Sequence, residues 1–455
     1  MKKRTAKVLT VLAVIIGVMG VIYVVAVAVS AAKLRRVYAQ LEKASRPMTA
    51  ADVIPPVAAD SENAALLYKS AALLLKAQPA PLNEKDQKER DLLSYISKLG
   101  VSLANGIIEP NDLGELENLL QQNVVSQALA IVQQGTSRPQ CRFERDYTNG
   151  LQTNPVLLDL KGVAQVLGAK ARIEARAGRP AAWDLAQTQL RFSDALRGDP
   201  SIISQLVRFN MIRLSCETIQ EISRISMPGR QQADDISKIL VSLDDVRPAV
   251  LAIDGERLLV GEWFFGLPAS QLWATLQEIL CDDSTPGLSC YWVLYHRATF
   301  APNFLADHAA YLKTLYENAD MIVRPYSPAD RKEPDLGRHK LTNKLVPAIW
   351  RIKEFYLEMI SQIRMTRAGL ILLQYKKDQG AFPPTLDILD AREFADPFMD
   401  KPLQYRVEPE GFVLYSVGPD QEDNGGNPRQ SRPWQKTGFD IVWRFPAGAT
   451  TPAAK

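Results

Sequence analysis

The strongest constraint on the fold is an uncharged run of twenty-five residues near the N-terminus, from Val8 to Ala32. As an α-helix rising 1.5 Å per residue, this run is long enough to cross the ~30 Å hydrocarbon core of a bilayer. A secretory signal peptide has a shorter apolar region of about 7–15 residues. The run therefore predicts that residues 1–32 form an uncleaved membrane anchor. The alternative is a cleaved signal with a long core, because Ala26-Val27-Ala28 and Ser30-Ala31-Ala32 offer small-residue cleavage sites.

The remaining length is enough for two or three domains of ordinary globular composition. The chain has 455 residues, of which 23% are charged and 46% are hydrophobic, and its net charge is +3. Because the basic residues are spread along the chain, we expect no nucleic-acid partner. No two of the three histidines stand at metal-ligand spacing on a helix, so we expect no histidine-based metal site.

Helical periodicity dominates the chain between the anchor and the C-terminal region. Residues 33–60 are predicted to form a juxtamembrane helix and a linker, because prolines interrupt the apolar spacing. Residues 61–324 are predicted to form an irregular helical ectodomain. Within it, residues 157–198 look loosely like a tetratricopeptide-type hairpin, although no second copy follows at a fixed period. Residues 325–344 are polar and rich in proline, which predicts a surface linker.

Short motifs in a fixed order mark the C-terminal region. They are Gly380-Ala381-Phe382-Pro383-Pro384, Ala395-Asp396-Pro397-Phe398, Ser416-Val417-Gly418-Pro419-Asp420 and Asp440-Ile441-Val442-Trp443. This order resembles the C-terminal domain of the major pseudopilin of type II secretion systems, over about residues 362–446. Apolar alternation independently predicts short antiparallel strands near 403–407, 412–416 and 441–443.

The resemblance implies a small α+β domain at residues 345–446, lying outside the cytoplasm. We expect a disordered tail at 447–455. The chain departs from the family at its N-terminus, where a pseudopilin has a cleavage glycine, a phenylalanine and a glutamate directly before its apolar helix. Here that helix follows Arg4-Thr5-Ala6-Lys7. We therefore do not expect the chain to polymerise as a pilus subunit.

The acidic loop after Ser416 is the strongest candidate site. Closely spaced carboxylates repel each other unless a cation offsets them, and calcium accepts six to eight oxygen ligands of mixed kind. The resemblance implies calcium as the cofactor of this loop. In the alternative interpretations, Arg429 and Arg432 neutralise the carboxylates, or the loop is a solvated hairpin tip. The candidate ligands are Asp420, Glu422, Asp423, Asn424 and Asp440.

Charge around the apolar run hardly decides its orientation, with four basic residues before it and three after it. The resemblance breaks this near-tie and places residues 33–455 on the outer side of the inner membrane. In that oxidising compartment a disulfide between Cys281 and Cys290 is sterically allowed, because the two cysteines bracket a turn-rich loop. Two unrelated thiols are the alternative.

Catalytic signals are weak. Asp254, Glu256 and Glu262 offer carboxylates, but a spacing of six separates the two glutamates around a helix and favours a solvated face. His296 and His308 do not neighbour a recognisable nucleophile motif. The sequence therefore predicts no catalytic residue and no enzyme.

These features predict a single-pass, membrane-anchored bacterial envelope protein with a structural or protein-interaction role and other envelope proteins as partners. One alternative is an accessory component of a type II secretion or pilus-like assembly. Another is a hydrolase-type enzyme in the helical ectodomain. A deep pocket lined by Glu256, Glu262, His296 and His308 would favour the enzyme.

Overall fold

The computed structural model describes residues 2–80, 91–148, 150, 154–268, 271–272, 275, 301–331, 337, 339–346, 349–427 and 440–446. Over these residues the protein is mainly helical, with a candidate membrane helix at its N-terminus and small antiparallel sheets near its C-terminus. The predicted fold class is confirmed at that level. The tetratricopeptide-like hairpin and the pseudopilin-like domain stay predictions.

The helices of the described residues follow one another along the chain, and the longest described connections are 44–63 and 136–156. A π-helical segment, Glu256–Glu262, joins the helix Arg247–Gly255 to the helix Trp263–Gly266, and 3-10 turns lie at Ala50–Asp52 and Pro328–Arg331. The helices are α1 (Lys2–Lys43), α2 (Ala64–Lys76), α3 (Leu92–Ala104), α4 (Pro110–Leu120), α5 (Asn123–Gly135), α6 (Leu157–Arg176), α7 (Ala181–Phe192), α8 (Ile202–Ile225), α9 (Arg230–Leu243), α10 (Arg247–Gly255), α11 (Trp263–Gly266), α12 (Ala301–Val323), α13 (Lys340–Leu345) and α14 (Ile349–Gln379).

Helix α1 is continuous from the apolar run into the folded body. Its side chains from Val8 to Val25 are exposed, as expected of a surface that meets lipid tails. Further along, the same helix packs against α12, and Val37 and Leu41 are buried in the core. Among the described residues, α1 is the one helix that is long and apolar enough to cross a membrane.

Two hydrophobic cores build the helical body. One contains apolar side chains of α2 to α6, and the other combines α1, α7 to α10, α12 and the first half of α14. Helix α8 contributes to both cores, since Met211 belongs to the first and Ile212 to the second. Within the body, α6 and α7 pack directly on each other, and Gly178 in the turn between them adopts a left-handed conformation with φ of 68°.

Both segments predicted as linkers differ from that prediction. In the first, Val53 is buried, and Arg142 Nε donates to the carbonyl of Pro55 at 3.0 Å. In the second, Tyr326 and Asp330 are buried, and part of the segment forms α13. Prolines end helices, but they do not prevent a chain from packing when its backbone polar groups find partners.

A small sheet ends the described chain and shares its helix with the body. Its central strand, β4 (Gly411–Ser416), lies between β3 (Gln404–Glu408) and β5 (Ile441–Phe445). Leu414 therefore opposes Tyr405 on one side and Trp443 on the other. Helix α14 contributes Met365 to Leu373 to the core under this sheet and its earlier turns to the helical body. The strands are β1 (Ala395–Asp396), β2 (Lys401–Pro402), β3 (Gln404–Glu408), β4 (Gly411–Ser416) and β5 (Ile441–Phe445).

Candidate functional site

The acidic loop leaves the sheet at the end of β4, and its first residues are held from outside. Gly418 and Gln421 both adopt left-handed conformations, with φ of 73° and 61°. A residue with a side chain adopts this conformation only when its surroundings hold it. Two hydrogen bonds do so: the Tyr326 hydroxyl donates to the carbonyl of Pro419 at 2.7 Å, and Gln421 Nε2 donates to the carbonyl of Phe398.

Asp440 closes the loop directly before β5. It is 1% exposed, and its two carboxylate oxygens accept from the backbone nitrogens of Gly426 at 2.7 Å and Asn424 at 3.3 Å. Burial raises the pKa of this carboxyl, and the charges of Asp423 and Asp420 raise it further. The fold therefore brings Asp420 and Asp423 close enough to Asp440 for their charges to act on its carboxyl.

The remaining predicted ligands lie in different surroundings. Asp423 accepts a hydrogen bond from the Tyr415 hydroxyl at 2.9 Å. Glu422 is exposed, and its carbonyl accepts from the side-chain nitrogen of Asn424 at 2.9 Å. Asp420 Oδ2 is buried and has no hydrogen-bond partner among the described residues. Among the predicted ligands, Asp420 therefore has the carboxylate oxygen that a bound cation would stabilise most.

The donors suit calcium in kind, but they do not form a preassembled metal site. Over the described part of the chain, no three histidine, cysteine, aspartate or glutamate side chains lie close enough together to hold a metal ion. Both oxygens of Asp440 already accept backbone N–H groups. Calcium binding by this loop therefore stays a prediction.

Several predicted residues lie outside the described residues. The disulfide between Cys281 and Cys290 therefore stays a prediction, and so does neutralisation of the loop by arginines. The other two cysteines, Cys141 and Cys216, are free thiols. The undescribed residues with a predicted role are Arg429, Arg432, Cys281, Cys290, His296 and the tail 447–455.

Sequence reasoning missed the buried carboxylate that joins β1 to the end of β4. Asp396 is 2% exposed and accepts three hydrogen bonds, all at 2.9 Å, from Ser416 Oγ and from the backbone nitrogens of Phe398 and Val417. Ser361 Oγ of α14 lies 3.3 Å from Ser416 Oγ, so the residue that donates to Asp396 also contacts α14. Asp396 was visible within the Ala-Asp-Pro-Phe motif, but only the fold shows what it binds.

A second polar group holds α1 against the body. The Tyr38 hydroxyl donates to Glu262 at 2.8 Å, and His308 Nε2 lies 3.3 Å from the other oxygen of that carboxylate. Nearby, Arg46 pairs with the buried Asp254 at 2.7 Å. Glu262 and His308 thus meet, as the hydrolase alternative requires, but both contact Tyr38 of α1. The hydrolase stays a prediction.

The expectation that Asp254, Glu256 and Glu262 form a solvated helix face is wrong. Asp254 is 4% exposed, and Glu262 faces Tyr38. The physical reason is that α1 and α12 pack over this stretch of chain, which sequence periodicity could not reveal. Glu256 opens the π-helical segment, a rare element that is often found at functional sites.

Asp254 and Glu262 have partners that offset the burial of their carboxylates, and among the described residues Glu256 has none. Burial raises the pKa of its carboxyl to about 7, and its side chain has no hydrogen-bond or ion-pair partner among the described residues. Its backbone carbonyl, by contrast, accepts from the Tyr311 hydroxyl at 3.1 Å. Ionisation of this side chain therefore opposes folding.

We expect the stability of the protein to fall between pH 4.5 and pH 7 because of Glu256. A carboxyl with a raised pKa binds more protons in the folded than in the unfolded chain, so stability is lost as pH rises through this window. Because Glu256 is half-buried, we expect about 1–3 kcal/mol, less than the full shift would give. Glu256→Gln should remove this loss, as measured by denaturant unfolding at pH 5 and pH 8. Equal pH dependence in the variant and the wild type would contradict the assignment.

Comparison of the chain with models of known protein families, with curated proteins and with solved structures finds no match. The resemblance to the pseudopilin domain therefore rests on the residues alone.

Proposed function

We propose that the protein is a single-pass, membrane-anchored envelope protein whose body lies outside the cytoplasm and has a structural or protein-interaction role. The continuity of α1 carries this proposal. One end of the helix, from Val8 to Val25, is exposed and apolar, and the other end, at Val37 and Leu41, is part of the core. An anchor of this kind belongs to the fold and is not a removable leader.

The contacts at the end of α1 support an architectural role. Tyr38 is bonded to Glu262, Arg46 is paired with Asp254, and the Arg257 guanidinium donates to the carbonyl of Pro47. These contacts tie the chain to the body on both sides of the helix end. The body is thereby held at a fixed height and orientation above the membrane, as suits a protein that presents a surface to partners.

We expect the mature protein to retain α1. Cleavage after Ala28 or Ala32 would cut within a continuous helix, close to the buried Ser30. N-terminal sequencing of protein extracted from membranes should read the original N-terminus, and a periplasmic reporter fused after residue 446 should be active. A mature N-terminus near Lys33, or protein in the soluble fraction, would contradict the proposal.

We also propose that the acidic loop binds calcium, with Asp420 as the first ligand and Glu422, Asp423 and Asn424 around it. The unpartnered oxygen of Asp420 and the mutual repulsion of the carboxylates support this site. Calcium at a hundredfold excess over its Kd should raise the free energy of unfolding by about 2.7 kcal/mol. Magnesium should substitute poorly, because it requires stricter octahedral geometry and retains its waters.

The full chain should be used for the calcium measurement, because α14 belongs to both the sheet core and the helical core. Asp420→Asn should abolish the calcium-dependent stabilisation. Glu410→Gln makes the same change of charge on an exposed residue at the opposite end of β4 and should leave the stabilisation intact. Equal melting temperatures in calcium and in chelator would show that the loop is a solvated turn.

A further inference from the structure

The segment between α12 and α13 is clamped onto α14 by charged groups. Lys353 Nζ of α14 donates to Asp330 Oδ2 at 2.8 Å, and both side chains are buried. At the next position on each side, Arg331 Nε donates to Glu354 Oε1 at 2.6 Å. We call residues 324–331 the clamp segment. It belongs to the helical body and lies before the region that resembles the pseudopilin domain.

One side chain of the clamp segment reaches the start of the acidic loop. The single proton of the Tyr326 hydroxyl is shared between two acceptors, Glu354 Oε1 at 2.8 Å and the carbonyl of Pro419 at 2.7 Å, and Pro419 directly precedes Asp420. The Tyr326 ring packs edge-on against Phe398, with 5.0 Å between ring centroids. Phe398 in turn supplies the carbonyl that accepts from Gln421 Nε2. Tyr326 therefore contacts α14 and both supports of the strained loop start.

We propose that Tyr326 is a positioning residue for the cation loop and couples cation binding to the clamp segment. The inference rests on the proposed calcium site. The carbonyl of Pro419 directly precedes Asp420 along the chain. A hydrogen bond that fixes this carbonyl therefore restricts the orientation of the Asp420 side chain. Without the hydroxyl, Gly418 and Gln421 lose one of the two bonds that hold their left-handed conformations.

The coupling must act in both directions. If the clamped position of Tyr326 favours cation binding, then a bound cation favours the clamped position by the same factor. Cation binding in the loop should therefore protect the backbone amides of the clamp segment from hydrogen exchange. The sheet and the helical body would then be joined more firmly when the loop is loaded, and the site would regulate the rigidity of the whole body.

Terbium provides a direct probe of this coupling, since a tyrosine close to a bound lanthanide sensitises its luminescence. Tyr415 is placed for this role, because its hydroxyl donates to Asp423 at 2.9 Å. The experiment uses the full chain in detergent and competes terbium with calcium. Tyr326→Phe keeps the ring against Phe398 and removes only the hydroxyl. Tyr316→Phe on α12 is the matched control, because among the described residues its hydroxyl makes no hydrogen bond to the loop or to the residues that hold it.

We expect Tyr326→Phe to weaken terbium and calcium binding about three- to tenfold, the change that one net hydrogen bond corresponds to. Tyr316→Phe should bind as the wild type does. Hydrogen exchange of the wild type should slow at residues 324–331 on addition of calcium, a readout that needs no variant to fold. In Tyr326→Phe this slowing should be absent.

The outcomes separate the inference from the site on which it rests. The coupling is wrong if Tyr326→Phe binds terbium and calcium with unchanged affinity, or if hydrogen exchange at residues 324–331 does not change on addition of calcium. Neither result contradicts the calcium site itself. If the wild type does not bind terbium, or if Asp420→Asn binds it equally well, the site itself is wrong and the coupling falls with it.

Discussion

Replacing Trp443 with alanine is expected to lower the free energy of unfolding by about 3–5 kcal/mol. Trp443 of β5 is fully buried, and its ring contacts Phe412 at 5.4 Å between centroids and the backbone of α14 at Gly369. Alanine would leave a cavity between sheet and helix that close packing does not refill. Denaturant unfolding in detergent measures the change. Trp443→Phe, which keeps an aromatic ring, should cost distinctly less.

Gly369 provides a sharper form of this test. A Cβ at Gly369 would lie 1.6 Å from Cζ3 of Trp443, so Gly369→Ala should cost about 1–3 kcal/mol by overpacking. In the Trp443→Ala background that clash is gone, and the same substitution gains helix propensity of about 1 kcal/mol. We therefore expect the double variant to be at least as stable as Trp443→Ala. Additive losses would show that ring and helix are not in contact.

Val407→Ala is the matched control for the sheet. Val407 lies on β3 and is 42% exposed, so its truncation should change stability by less than about 0.5 kcal/mol. A loss as large as that of Trp443→Ala would mean that the sheet as a whole, and not its contact with α14, determines the effect.

Breaking the buried pair between Asp330 and Lys353 is the second large effect that we expect. The side chains are 5% and 1% exposed, and Nζ lies 2.8 Å from Oδ2. Asp330→Asn should cost about 3–5 kcal/mol, because it leaves the Lys353 ammonium buried without its countercharge. The double variant Asp330→Asn with Lys353→Met should recover most of this loss, since it removes both charges.

An exposed ion pair on α12 provides the control for this cycle. Lys313 and Glu317 are 3.5 Å apart and both 60% exposed, so Glu317→Gln should change stability by less than about 1 kcal/mol. If Asp330→Asn is equally mild, the clamp segment does not contribute to stability as its burial indicates. If the double variant is as unstable as the single one, the loss comes from removing the attraction between Asp330 and Lys353, and not from leaving the Lys353 charge unpaired.

Local patterns in the sequence were enough to predict the elements. The uncharged run predicted a helix long enough to span a membrane, and that helix is present. Alternating apolar residues predicted strands where β3, β4 and β5 form. These predictions succeed because the periodicity of a helix or a strand depends on side chains within a few positions of each other.

The candidate loop was also visible in the sequence, but its internal geometry was not. The order of residues identified the carboxylates at 420–424 and Asp440. It did not indicate that Asp440 is held by two backbone nitrogens, while an oxygen of Asp420 has no partner among the described residues. Which carboxylate is free depends on how the loop closes on β5, and closure is a property of the folded chain.

Only the tertiary structure determined how the parts are joined. The candidate membrane helix is held against the body by Tyr38 and Glu262, which stand 224 positions apart, and the loop is held by Tyr326 from a segment that was predicted to be a linker. The sequence by itself determined the helices and the strands, because each depends on neighbouring residues. The buried pairs depend on which distant surfaces come together, and no local pattern records that choice.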